Sequence, residues 1–172
     1  FGNIMGHVKD IKNLTSLTKW VQNQFDPQLN WDDVKRIKDW WGGKLIIKGI
    51  MDPDDAKMAQ KSGADAIVVS NHGGRQLDGV NSSISMLPQI KKAVSAIDVL
   101  FDGGINSGQD ILKAIALGAE GVMIGRSFVY GLSAKGKKGV INALEILNKE
   151  LDMTMALCGR RDIKDVGRDI IK

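Results

Sequence analysis

Four short runs with uninterrupted apolar interiors constrain this chain more than any other feature: KLIIK at 44–48, AIVVS at 66–70, DVLFD at 98–102 and GVMIG at 121–125. A strand with one wet face alternates apolar and polar residues, whereas a strand covered on both faces does not. The runs therefore predict parallel strands buried between layers of helix. Parallel neighbours need a crossover of roughly a dozen residues or more, and each gap between the runs has room for one helix.

Helix signals fill those gaps. Asp52 reads as an N-cap, with Pro53 at the first helical position and Asp54 and Asp55 in the first turn. That helix is expected to stop at Gly63. Ser107 with Asp110 marks a second start, and its helix is expected to stop at Gly118. Pro88 predicts a helix start nearby that runs to about Val94. Residues 140–151 read as a longer helix with Ile141, Leu144, Ile146 and Leu147 at its apolar positions. Residues 55–65 (DAKMAQKSGAD) echo residues 110–120 (DILKAIALGAE): helix, then Gly-Ala-acid, then strand. Repeated βα units with short loops point to a parallel barrel or a doubly wound sheet.

The first 43 residues differ. They are polar and hold all four tryptophans, Trp20, Trp31, Trp40 and Trp41. Residues 32–41 predict a helix that packs its tryptophans, and 1–30 read as a long excursion of the kind that serves as a lid or binding segment.

At 172 residues the chain is long enough for one domain with a core. Its one cysteine, Cys158, has no internal disulfide partner, which fits a reducing compartment. No apolar run approaches the roughly 20 residues of a membrane span, and no secretory signal is read at the start. The net charge of +4 is spread along the chain. That favours a solvated basic surface over a nucleic-acid site and leaves attraction to anionic lipid open. The first residue is Phe1, so a fragment or a processed product is expected.

Every polar cluster of interest stands at the expected C-terminal end of a strand: Lys48, then Ser70 and His72, then Asp102, then Gly125 and Arg126. In a parallel barrel this is the face on which active sites are built. The run SNHGGRQLDG at 70–79 places His72 and Arg75 together on a glycine-rich turn. A base that titrates near neutral pH stands beside a planar cation that grips carboxylates in bidentate fashion. The bland alternative is a structural histidine and a surface ion pair. The run 102–108 (DGGINSG) offers bare backbone amides at Gly103 and Gly104, followed by Asn106 and a helix start, and Gly125-Arg126 adds a guanidinium. Either loop alone is a tight turn, but the two together suit a phosphate. Lys48 reads equally as an ion-pair partner at the rim or as a fixed charge beside an electron-rich ring. The methionines read as core filler, no spacing suggests a metal site, and Cys158 has no base nearby.

These residues carry a resemblance. Lys48-Gly49-Ile50, the run 70–79, Asp102-Gly103-Gly104-Ile105 and Gly125-Arg126 occur in the order and at about the spacing of the FMN-dependent α-hydroxy acid dehydrogenases and oxidases. The sequence resembles that family over nearly its whole length. Residues 23–31 and Trp40-Trp41 are most similar to the family's bacterial L-lactate dehydrogenases. The resemblance implies a (β/α)8 TIM barrel with FMN at its C-terminal face, of which this chain is the C-terminal half. About four βα units would occupy 44–172, preceded at 1–43 by an active-site loop segment and a connecting helix. Residues 1–26 would fall in the loop that closes over the site.

The same resemblance assigns roles. His72 is the base that removes a proton during oxidation of an L-2-hydroxy acid, with L-lactate to pyruvate expected. Arg75 is the substrate carboxylate clamp. Lys48 stands near flavin N1 and O2. Ser70 contacts the isoalloxazine and Asp102 the ribityl hydroxyls. Gly103, Gly104, Gly125 and Arg126 hold the phosphate with Asn106, which replaces the family's usual arginine and brings a hydrogen bond without a charge. Relatives pass electrons to quinone, cytochrome or oxygen. A homo-oligomer is implied, cytoplasmic or peripheral to the inner membrane. The half carrying active-site tyrosines and the aspartate that orients the histidine is absent, so the isolated chain is expected to be inactive. Two other readings stay open: another flavin- or phosphate-binding barrel, which would lack the His72–Arg75 pair, and a non-catalytic half-barrel with open sheet edges.

Overall fold

The structure is a computed structural model and describes residues 13–171. His7 and the expected loop segment before residue 13 lie outside the described residues. Helix α1 (Leu14–Gln22) follows an Asn13 cap whose side chain accepts from Ser16 N–H at 2.9 Å. Helix α2 (Trp31–Trp41) follows Asn30, is closed by a capping box with Asp33, and ends at Gly42 with φ +63°. The tryptophan packing expected of residues 32–41 is not found. Trp31 packs on the core, whereas Trp40 and Trp41 are 76% and 68% exposed. Arg36 lies over the Trp40 ring at 5.3 Å, and Trp41 Nε1 donates to the Lys44 carbonyl.

Four βα units follow. Strand β1 (Ile46–Ile50) leads to α3 (Pro53–Lys61), β2 (Ala66–Val69) to α4 (Ser83–Ala93), β3 (Asp98–Phe101) to α5 (Gly108–Ala116), and β4 (Gly121–Val122) to α6 (Arg126–Leu157). The sheet order is β1-β2-β3-β4 and every pair is parallel. All of β2 is buried, as an inner parallel strand must be. The core joins Ile67, Val69, Val99 and Phe101 of the sheet to Ala56 and Ala59 of α3 and Leu87 and Ile90 of α4. Asp52 and Ser107 cap α3 and α5 as expected.

The sequence echo has a structural counterpart. Asp65 accepts from Leu45 N–H and Glu120 accepts from Val99 N–H, both at 2.8 Å. Each acid also takes a lysine from the helix before the partner strand: Lys38 of α2 pairs with Asp65, and Lys91 of α4 with Glu120. The chain thus repeats one device that ties the start of each even strand to its odd neighbour.

Four boundaries differ from expectation. β1 lies two residues later, so Lys48 sits inside the strand rather than at its end; Gly49, with φ +97°, makes a bulge that shifts the register between Lys48 and Ile50. β4 is cut to two paired residues because it is hydrogen-bonded only to β3. Helix α4 begins at Ser83 and carries Pro88 inside it, since a ring without N–H forfeits only one intrahelical bond there. Helix α6 begins at Arg126, well before the expected 140, and is broken at Lys135 and Gly136 into arms 126–134 and 137–157. The arms meet at two glycines: a Cβ on Gly139 would come within 1.9 Å of the Gly131 carbonyl oxygen.

Candidate active site

The C-terminal ends of the strands open onto one cleft of about 600 Å³, a size typical of ligand pockets. Its floor is a short polar chain. Lys48 Nζ donates to Ser70 Oγ at 2.8 Å and pairs with Asp102 Oδ2 at 2.8 Å. One ammonium from β1 thus passes over the end of β2 to the residue that follows β3. Lys48 is an ion-pair partner that also lines the cleft. Ser70 is 1% exposed and lies beneath the cleft, where its Oγ also accepts from His72 N–H at 3.1 Å. Asp102 Oδ1 is buried with no hydrogen-bond partner among the described residues. A buried carboxylate oxygen without a donor is costly, and it calls for a hydroxyl from a ligand.

One wall is the loop after β3. Gly103 and Gly104 take φ of +98° and +80°. Gly103 is fixed twice over: a Cβ there would come within 2.6 Å of Ser83 Oγ, which itself donates to the Asp102 carbonyl at 2.7 Å. Above Gly104 there is open space. Asn106 lines the cleft, but its side chain folds back so that Nδ2 donates to the Gly104 carbonyl at 3.3 Å. The amides of Asn106 and Ser107 both donate to Asp110 Oδ2 at 3.0 Å, so the start of α5 is satisfied by the protein's own carboxylate.

The opposite wall is the start of α6. Among the described residues no side chain caps its first turn at Gly125, and a Cβ there would meet nothing within 4 Å. Arg126 lines the cleft beside it. Unclaimed amides at a helix N-terminus beside a guanidinium suit an anion. With the orphaned Asp102 oxygen on the floor, the residues fit a phosphorylated polyhydroxyl ligand.

At the rim, residues His72–Gly74 form a single 3₁₀ turn that leads into Arg75. His72 has φ +57°, the one non-glycine residue among those described with positive φ. Asn71 Oδ1 accepts from Gly73 N–H at 3.0 Å and the Asn71 carbonyl from Gly74 N–H at 3.0 Å. These bonds and the Ser70 bond hold the turn. Strain of this kind persists only where surroundings impose it, and it clusters at functional sites. His72 and Arg75 are exposed and line the same cleft.

The structure therefore gathers Lys48, His72, Arg75, Asp102, Gly103, Gly104, Asn106, Gly125 and Arg126 around one cleft, with Ser70 beneath. Sequence reasoning missed Ser83, which reaches the cleft floor from α4 and carries no local signal. It also missed Phe128 and Val129, cleft residues on the unexpected first arm of α6.

Residues 3–172 match the family model of the FMN-dependent dehydrogenases. The chain belongs to the FMN-dependent dehydrogenase family. It is 47% identical over 169 residues to the L-lactate dehydrogenase of Xanthobacter autotrophicus, covering 98% of this chain and 44% of that protein. It is 48% identical over 169 residues to the L-lactate dehydrogenase of Stenotrophomonas maltophilia, covering 98% and 45%. Among solved structures, the monotopic membrane protein (S)-mandelate dehydrogenase matches with TM-score 0.86 and 37% identity over 95% of this chain and 43% of that one. A mandelate oxidase matches with TM-score 0.84 and 41% identity over 91% and 46%. This FMN-dependent dehydrogenase chain spans less than half the length of the relatives it matches, and its four βα units are half of a (β/α)8 barrel.

Proposed function

We propose that the protein carrying this chain oxidises an L-2-hydroxy acid, L-lactate to pyruvate, with FMN in the cleft. The observation that carries the reading is the strained His72 beside Arg75, on the rim of the cleft that holds Lys48, Asp102 and Arg126. Identities of 47% and 48% to two L-lactate dehydrogenases support lactate over mandelate.

Arg75 binds the substrate carboxylate through two parallel N–H···O bonds and so fixes the α-carbon against the cleft. His72 takes a proton as the carbon–oxygen single bond becomes a double bond. FMN, when bound, would supply the acceptor for the two electrons and for the second hydrogen of the CH–OH group. Lys48 would offer its positive charge to the flavin ring, while Ser70 steadies Lys48 and the His72 backbone together. Asp102 would accept from a ribityl hydroxyl. Gly103, Gly104, Asn106, Gly125 and Arg126 would hold the phosphate.

Among the described residues, 13–43, which hold helices α1 and α2 where a loop and one connecting helix were expected, would serve as the segment beside the active site, and 44–171 as the half-barrel. The electrons pass to a quinone, cytochrome or oxygen acceptor, in a homo-oligomer. We place the protein in the cytoplasm, at the surface of the inner membrane. Its net charge of +4 supports attraction to anionic lipid.

The test is anaerobic mixing of flavin-loaded, full-length protein with L-lactate, D-lactate and (S)-mandelate. L-Lactate is expected to bleach the flavin fastest and D-lactate not at all. Bleaching by (S)-mandelate alone would overturn the choice of substrate, and no bleaching by any acid would overturn the activity.

A further inference from the structure

Both walls of the anion cradle are held by one element, whose second arm lies outside the cleft lining. The first arm of α6 starts at the cradle with Arg126. After the break at Lys135 and Gly136 the second arm returns against the first, through Gly131 and Gly139, and reaches the start of α5. There Glu150 Oε2 accepts from Gly108 N–H at 2.9 Å. Gly108 is buried, and a Cβ on it would come within 2.0 Å of the Leu151 backbone nitrogen, so the two helices touch through bare backbone. Gly108 follows directly on the loop that carries Gly103, Gly104 and Asn106.

We propose that Glu150 is a positioning residue for the flavin phosphate. By pinning Gly108 it fixes the glycine loop of one wall at a set distance from the Gly125–Arg126 helix start of the other. This rests on the FMN reading above. It has a chemical corollary: with Asp110 on Asn106 and Ser107 and Glu150 on Gly108, the start of α5 is occupied by two carboxylates. The anion is therefore left to the Gly104 amide side and the start of α6. A loosened cradle costs affinity for a phosphorylated flavin but not for one that ends in a hydroxyl.

The experiment compares Glu150→Ala, Glu150→Gln and, as a control on the exposed face of the same arm, Met153→Ala in the full-length protein. FMN and riboflavin are titrated separately, and amide hydrogen exchange is followed across residues 103–108 without flavin. Glu150→Ala is expected to weaken FMN by about tenfold, the scale of one lost charge-assisted hydrogen bond, with riboflavin unchanged and exchange faster across 103–108. Glu150→Gln keeps an acceptor oxygen and is expected to recover most of the FMN affinity. Equal losses for FMN and riboflavin would overturn the positioning role in favour of general destabilisation. Unchanged FMN affinity with unchanged exchange would overturn it outright. Should the unaltered protein bind neither flavin, the FMN reading fails instead, and the exchange comparison still decides whether Glu150 holds the loop.

Discussion

The ammonium of Lys48 lies 2.8 Å from Oδ2 of Asp102, across the end of the strand that separates them. This pair joins β1 to the loop after β3 and leaves the second oxygen of Asp102 buried without a donor among the described residues. Replacing Lys48 with methionine removes one charge from a half-exposed pair and leaves Asp102 uncompensated. We expect a stability loss of about 1 kcal/mol, moderated by solvent at the 40% exposed lysine. In the full-length enzyme we expect kcat to fall by about 10²-fold or more through loss of the fixed charge. Denaturant unfolding and dye-coupled lactate oxidation measure the two effects separately. An unchanged kcat would leave Lys48 with only its structural role.

His72 pays for its placement in backbone strain at φ +57°. Glycine suffers no such penalty, so His72→Gly is expected to raise stability by about 1 kcal/mol while removing the proposed base. Turnover should drop by about 10²–10⁴-fold, the usual worth of a positioned general base, with flavin still bound. Thermal unfolding, flavin content and lactate turnover on one preparation check this. Retained turnover would remove His72 from the chemistry, and a lower melting temperature would show that its side chain contributes more than the strain costs.

Arg75→Lys keeps the charge and loses the fork. A single ammonium holds a carboxylate without fixing its plane, so KM for L-lactate is expected to rise by about tenfold or more. Steady-state kinetics with L-lactate and with a substrate amide that lacks the carboxylate charge separate the contributions. If both substrates are affected equally, Arg75 is not the clamp.

The site was legible in sequence where chemistry is local. The N-caps at Asp52 and Ser107, the glycine turns and the His72–Arg75 spacing depend on residues a few positions apart. What escaped depends on contacts across the fold. Lys48 looked like a strand end because the bulge at Gly49 has no signature beyond a glycine, and the bulge lets the strand continue to Ile50. The helix expected at 140–151 extends back to Arg126, through the glycine-rich GLSAKGKKG, because Gly131 and Gly139 let its two arms touch. Ser83 and Glu150 act on Asp102 and Gly108 from other helices, so no window of the sequence contains both partners. Pro88 misled for the opposite reason: a strong local signal is tolerated inside α4.

The repeated Gly-Ala-acid device gives a pH prediction. Hydrogen bonds from Lys38, then Lys44, then the Leu45 amide hold the Asp65 carboxyl far below the usual carboxylate range. A carboxyl whose native pKa is depressed binds fewer protons folded than unfolded, so its contribution is fully present above the unfolded value near ~4 and is lost as pH falls below it. Asp65→Asn is therefore expected to lower the melting temperature most at neutral pH. The gap from the unaltered protein should then narrow steadily below about pH 4. Melting curves collected from pH 7 downward test the sign. A gap that widens on acidification would have the wrong sign for a depressed carboxyl and would overturn the assignment, because the lysines stay protonated throughout this range. A gap that stays constant would mean that the loss on substitution does not depend on the charge of Asp65.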